Sequence, residues 1–168
     1  TVSAFYLKNV QGLDGNSVDP DIKGAHVHAW GAGAPIDLGD SGLNIDGDFI
    51  QTRGNRDLGH ANLWTAGLNY GKVDLNKPGS FTLGVHYVRA DAGAYLLGNS
   101  ALDMTDQLEY GWDNGTGVKF WVAKAGVAVQ KNVELDAYYN FGAKAFDRYD
   151  DSTKDPANTW GVELNYAF

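Results

Sequence analysis

Eight segments of this chain alternate apolar and polar residues with the two-residue period of a β-strand, and they leave little sequence for anything else. The final segment, Asn158 to Phe168, is the clearest. Trp160, Val162, Leu164, Tyr166 and Phe168 fall on one face, and Thr159, Gly161, Glu163, Asn165 and Ala167 on the other. The pattern also runs from Val2 to Val10, Ile22 to Gly33, Leu43 to Arg53, Ala61 to Lys72, Phe81 to Arg89, Gly117 to Val129 and Val133 to Phe146. In the second of these, Ala25, Val27 and Ala29 oppose His26, His28 and Trp30, which are expected on the inward, polar face. In the seventh, Leu135, Ala137, Tyr139, Phe141 and Ala143 oppose Glu134, Asp136, Tyr138, Asn140 and Lys144.

The spacing of aromatics within the apolar faces narrows the fold further. Trp64 and Tyr70 are six residues apart, as are Phe81 and Tyr87, and Trp160 and Tyr166. Six residues span roughly 20 Å along a strand. A tilt near 40° lowers this to about 15 Å of height, and with ring reach it approaches the apolar band of a membrane barrel, about 25 Å tall. Because successive strands reverse direction, Trp64, Tyr87, Trp121 and Trp160 would form one girdle at the outer edge. Tyr70, Phe81, Tyr166 and Phe168 would form a second at the periplasmic edge.

The expected fold is therefore all-β, an antiparallel up-and-down transmembrane β-barrel domain spanning residues 1–168. It would be either a closed barrel of eight strands or the C-terminal half of a larger porin barrel. Compact turns are predicted after segments two, four and six, and longer connections after one, five and seven, while the one after three is short; apart from that one, this matches the short periplasmic and long outer loops of such barrels. The connection 91–116 is the longest. Leu102, Asp106 and Tyr110 within it stand at helical spacing, so it is expected either to fold inward and constrict a pore or to form an outer flap.

Composition excludes several classes. No apolar run approaches the roughly 18 residues of a membrane-spanning helix. A chain without cysteine forms no disulfide or thiolate site. A net charge of −8 argues against nucleic acid as a partner. With neither an initiating Met nor a signal peptide, the chain reads as mature or as a piece of something longer.

Two resemblances sharpen this picture. The ending on Phe168 is similar to the C-terminal strands of bacterial outer-membrane barrels, which carry a signal for the barrel-assembly machinery. Three runs, Gly117-Val-Lys-Phe-Trp-Val-Ala123, Gln130-Lys-Asn-Val-Glu-Leu-Asp-Ala-Tyr-Tyr-Asn-Phe141 and Asn158-Thr-Trp-Gly-Val-Glu-Leu-Asn-Tyr-Ala-Phe168, resemble the porin barrels of outer-membrane proteins that carry an S-layer homology domain. The likeness covers mainly residues 98–168. It implies residence in the bacterial outer membrane, contact with its lipid, trimeric assembly and passive diffusion of small polar solutes and ions. The peptidoglycan-binding domain and coiled-coil spacer of those proteins have no counterpart here, so tethering does not carry over. Two other functions remain as expectations: a small non-conducting barrel with a structural or loop-binding role, and a soluble β-barrel holding an apolar ligand.

For a water-filled lumen, the inward faces would carry Asp46, Asp48, Glu134, Asp136 and Glu163 against Lys124 and Lys144, an excess of acid that favours cations. Other clusters are weaker. His26 and His28 share a face and His86 lies on a distant strand, short of the tetrahedral ligand set of zinc. Asp57 with His60, and Asp91 with Asp113, lack the motifs of hydrolases. The acids of the first loop (Asp14, Asp19, Asp21) and last loop (Asp147, Asp150, Asp151, Asp155) do not have EF-hand spacing. No enzymatic activity, metal or cofactor is expected.

Overall fold

The computed structural model describes residues 2–10, 27–54, 60–94, 105–113, 115–147 and 152–167. Eight strands form one antiparallel sheet in sequence order: β1 (Ser3–Val10), β2 (Val27–Asp37), β3 (Leu43–Gly54), β4 (His60–Gly71), β5 (Phe81–Ala90), β6 (Gly117–Gln130), β7 (Val133–Phe146) and β8 (Thr159–Tyr166). Every strand is paired with its neighbours in sequence, the up-and-down arrangement expected from the alternation. No ladder joins β1 to β8 among the described residues.

Local chemistry accounts for the tight connections. Gln130 pairs with Val133 across the two-residue turn Lys131-Asn132, and Asn132 takes a positive φ of 62°, a conformation this side chain tolerates better than most. Between β2 and β3 a 3-10 turn, Gly39–Ser41, is followed by Gly42, and the Ser41 hydroxyl donates to the Leu38 carbonyl at 2.8 Å. The second strand runs further than its alternation suggests, through Pro35 to Asp37. Proline is tolerated there because the β1 ladder ends at Gly33, leaving Pro35 at the sheet edge on that side.

The two faces of the sheet differ. One carries Trp64, Leu68, Tyr70, Phe81, Leu83, Val85, Tyr87, Trp121, Leu135, Tyr139, Trp160, Val162, Leu164 and Tyr166; it is called the aromatic face below. The other is polar over one half and apolar over the rest, and its apolar half is covered. A helix in the 91–116 connection, α1 (Thr105–Asp113), packs there. Leu108 of the helix joins Leu63, Val88, Ala90, Ala94, Val118, Phe120, Val122 and Ala143 in the buried core. Gly111 lets the helix approach closely, because a Cβ at that position would run into the Thr116 carbonyl and the Val118 side chain.

Two expectations about strand facing are corrected. Lys144 does not share a face with Asp136. Lys119 pairs with Lys144 but Trp121 pairs with Phe141, so β7 holds one extra residue and Gly142-Ala143 oppose Phe120. Gly142 sits at φ 64°, as the first residue of a glycine bulge does. The bulge turns Ala143 into the core and Lys144 onto the aromatic side. In β2 the facing is reversed. Trp30 packs tilted against Phe49 on the aromatic face at 5.2 Å, while Ala29 is buried on the other side. The small residues of β2 make space there: the Phe5 ring occupies the volume that a side chain at Gly31 would need.

Candidate functional site

On the aromatic face the predicted rings come together in two lines. Trp64 and Tyr87 lie 5.2 Å apart by ring centroid, and Tyr87 and Trp121 4.9 Å apart, both tilted as aromatic quadrupoles favour. Trp160 stands directly opposite Tyr139, whose ring stacks on Phe141 at 5.6 Å. Trp30, Phe49, Tyr139 and Phe141 thus extend this line beyond the residues anticipated. In the second line Tyr70 meets Phe81 at 6.1 Å, and Tyr166 pairs opposite Val133. Phe168 lies outside the described residues. Between the lines the face carries Ile45, Gly47, Ala66, Leu68, Val85, Ala123, Ala125, Ala137 and Val162. No charged side chain interrupts that band among these positions. It is uncovered: Leu83 is 50% exposed, Val162 55% and Trp160 73%.

The polar half of the opposite face is built differently. Asp46, Asp48, Lys124, Glu134, Asp136 and Glu163 all lie on it. Asn69 donates to Asp46 Oδ2 at 2.9 Å, the His86 Nε2 contacts Asn69 Oδ1 at 2.9 Å, and His86 Nδ1 lies 3.5 Å from Asp46 Oδ1. Asn165 donates to Asp136 Oδ2 at 2.9 Å. Thr65 donates to Asp48 Oδ2 at 3.4 Å. Lys124, Asp136, Tyr138, Glu163 and Thr82 line a shallow recess of about 290 Å³.

Glycines opposite these groups explain how they lie. Asp46 and His86 fill the space over Gly67, Asn69 that over Gly84, Asp136 that over Gly126, and Tyr138 that over Gly161. Each polar side chain therefore lies along the wall, over a neighbouring strand with no side chain of its own. The surface is thin and hydrophilic, with carboxylates in excess over the single lysine left on it.

The helix adds to this charge. Gln107 and Leu108 turn to the sheet, whereas Asp106 and Glu109 are exposed. Gln107 is the polar anchor: its amide donates to the Ala157 carbonyl at 3.0 Å and to Thr159 Oγ1 at 3.1 Å, and it accepts from Asn140 Nδ2 at 2.9 Å. Tyr110 Oη donates to the Lys154 carbonyl at 2.5 Å. Asn140 and Thr159 are the sequence neighbours of Tyr139 and Trp160, so α1 sits behind the wall at the level of the first aromatic line. Helical spacing hinted at this segment, but nothing in the sequence marked Gln107 as its anchor.

The other candidates do not assemble. His28 is on the side of Trp30 and His86 on the opposite face, so they share no site. His26, Asp57, Asp14, Asp19, Asp21, Asp150 and Asp151 lie outside the described residues. Asp91 is spent locally, accepting from the Asn62 backbone at 3.0 Å and its amide at 3.1 Å. Among the described residues no three His, Asp or Glu side chains are grouped as a metal site.

No protein-family model matches the chain, and no curated protein matches it in sequence.

Proposed function

We propose that this chain is a wall section of a bacterial outer-membrane diffusion channel wider than eight strands, passing small polar solutes and preferring cations. The observation that carries the reading is the position of α1 on the polar side of a sheet whose other side is apolar and uncovered. A barrel of eight strands has an interior just wide enough for its own side chains. A helix with side chains is about 10–12 Å across. Placing α1 over Phe120 and Val122 in such a barrel would collide with the opposite wall, so the closed small barrel is the weaker reading. In lipid, moreover, every backbone polar group needs a partner, and among the described residues no ladder pairs the outer edges of β1 and β8 with each other.

The uncovered face has the composition of a lipid-facing band, with aromatic rings toward both ends and Ala, Leu and Val between. A soluble barrel that binds an apolar ligand would turn this face inward and cover it. On the other side, water would meet Asp46, Asp48, Glu134, Asp136 and Glu163, opposed by Lys124, with Asp106 and Glu109 of α1 narrowing the path. Screening at physiological salt acts over about 8 Å, so the resulting preference is weak. Release of Lys144 from this surface deepens the acid excess.

The test uses protein extracted in its assembled form from outer-membrane fractions and placed in a planar bilayer. Discrete conductance steps are expected, with a reversal potential in a salt gradient that favours cations and fades as salt rises. The double variant Asp46→Asn, Asp48→Asn should shift that potential toward zero. Silent bilayers would end the channel reading, and anion preference would overturn the assignment of this face to the lumen.

A further inference from the structure

Three cations stand in direct cross-strand register on the aromatic face: Arg89 of β5 opposite Lys119 of β6, and Lys119 opposite Lys144 of β7. Like charges directly opposite one another on a sheet are destabilising. The glycine bulge at Gly142 is what brings Lys144 into this row. Without the extra residue, Lys144 would fall opposite Val118, which is 1% exposed in the core beneath α1. The bulge thus keeps a cation out of the core and adds it to the row.

The ends of the row are pinned. Arg89 lies with its guanidinium 4.4 Å over the Phe146 ring and 3.8 Å from Asp91 Oδ1. Lys144 meets Asp155 Oδ2 at 2.8 Å. Lys119, between them, makes no ion pair among the described residues. Two cations are held in place by an acid each, and the central one is flanked by both. The row lies one pleat beyond the rings of Tyr87 and Trp121 and level with Trp64, on the side away from the apolar band. Phosphates of lipid headgroups stand at that level, just past an aromatic belt.

We propose that Arg89, Lys119 and Lys144 bind the phosphate of an anionic lipid headgroup in the leaflet on the side of the 91–116 connection. The phosphate oxygens would accept from Lys119 Nζ and from the donor hydrogens of Arg89 and Lys144 that face it, which relieves the repulsion along the row. This inference rests on the membrane reading above.

The experiment separates the two. Wild-type protein and the variants Lys119→Gln, the triple Arg89→Gln, Lys119→Gln, Lys144→Gln, and Lys72→Gln are reconstituted into phosphatidylcholine vesicles with and without phosphatidylglycerol. They are then extracted in mild detergent, and the retained lipid is identified by native mass spectrometry. Wild type and Lys72→Gln should hold phosphatidylglycerol. Lys119→Gln should weaken retention about fivefold, the effect of removing one basic residue near an anionic surface, and the triple variant should lose it. All four should enter pure phosphatidylcholine vesicles. Equal retention by the triple variant after normal insertion would overturn the site alone. Displacement by inorganic phosphate at the lipid's concentration would overturn the assignment to a headgroup. Failure of the wild type to insert would overturn the membrane reading, and the site with it.

Discussion

Phe120 and Trp121 are adjacent in β6 and live in opposite surroundings. Phe120 is 1% exposed beneath α1, whereas Trp121 is 43% exposed on the other side of the same strand. Both rings are large and apolar, so the hydrophobic effect acts on each with similar strength in water. The chain covers one with a helix and leaves the other bare, together with some dozen neighbours of the same character. Exposed apolar patches of that extent mark surfaces meant for contact with something other than water. The two regions separate the part of the molecule that folds against itself from the part that no described element covers.

The comparison is tested most severely on its buried side. Phe120→Ala opens a cavity against Val88, Val122 and Leu108, and the expected loss is about 3–5 kcal/mol. It is read from denaturant unfolding of detergent-solubilised protein, with Trp121→Ala as the contrasting variant. Equal losses at the two sites would erase the distinction between the regions. Next in size is Ala125→Arg, in the middle of the bare band. If lipid covers that band, a buried cation there should lower stability on refolding into vesicles by about 2–4 kcal/mol. An unchanged vesicle stability would place the face out of the hydrocarbon. Smallest is Gln107→Leu, which keeps the helix but removes its polar anchor and leaves Asn140 and Thr159 without that partner. A loss of about 1–3 kcal/mol should follow. Hydrogen exchange should show it as faster exchange in α1 with the sheet amides unchanged; faster exchange across β6 and β7 as well would mean that the helix is integral to the sheet.

Alternation located most strands closely, because strands such as β4 and β5 lie between a bare apolar face and a polar one with glycine on it, and each change of period is audible in the sequence. The bounds of β7, Val133–Phe146, match the expected segment, and β3 to β6 begin or end within a residue or so of it. What alternation could not reveal was any interruption of its own count. Gly142 looks like one more small residue on a strand, yet it inserts a bulge that exchanges the faces of Ala143 and Lys144. The facing of β2 was misjudged for a related reason. Ala29 reads as apolar and outward, but it is 2% exposed on the covered side, and Trp30 takes the aromatic face. The acids Asp46, Asp48, Glu134, Asp136 and Glu163 were legible as one surface. The hydrogen bonds that lay Asp46 and His86 across Gly67 were not, since they join residues from three strands.

The same connectivity orders the assembly of the molecule. Each strand pairs with its neighbour in sequence, so the sheet grows by hairpins, and low contact order makes such growth fast. The helix is different. Tyr110 reaches Lys154, Gln107 reaches Ala157 and Gln107 reaches Thr159, across 44, 50 and 52 residues. None of these acceptors is in place until β7 has turned back into β8. Docking of α1 therefore belongs to the end of folding, after the loop-closure entropy of the final hairpin has been met. Phe120, Val122 and Leu63 stay open to solvent until then, so the last hairpin governs how long the nascent sheet remains prone to self-association.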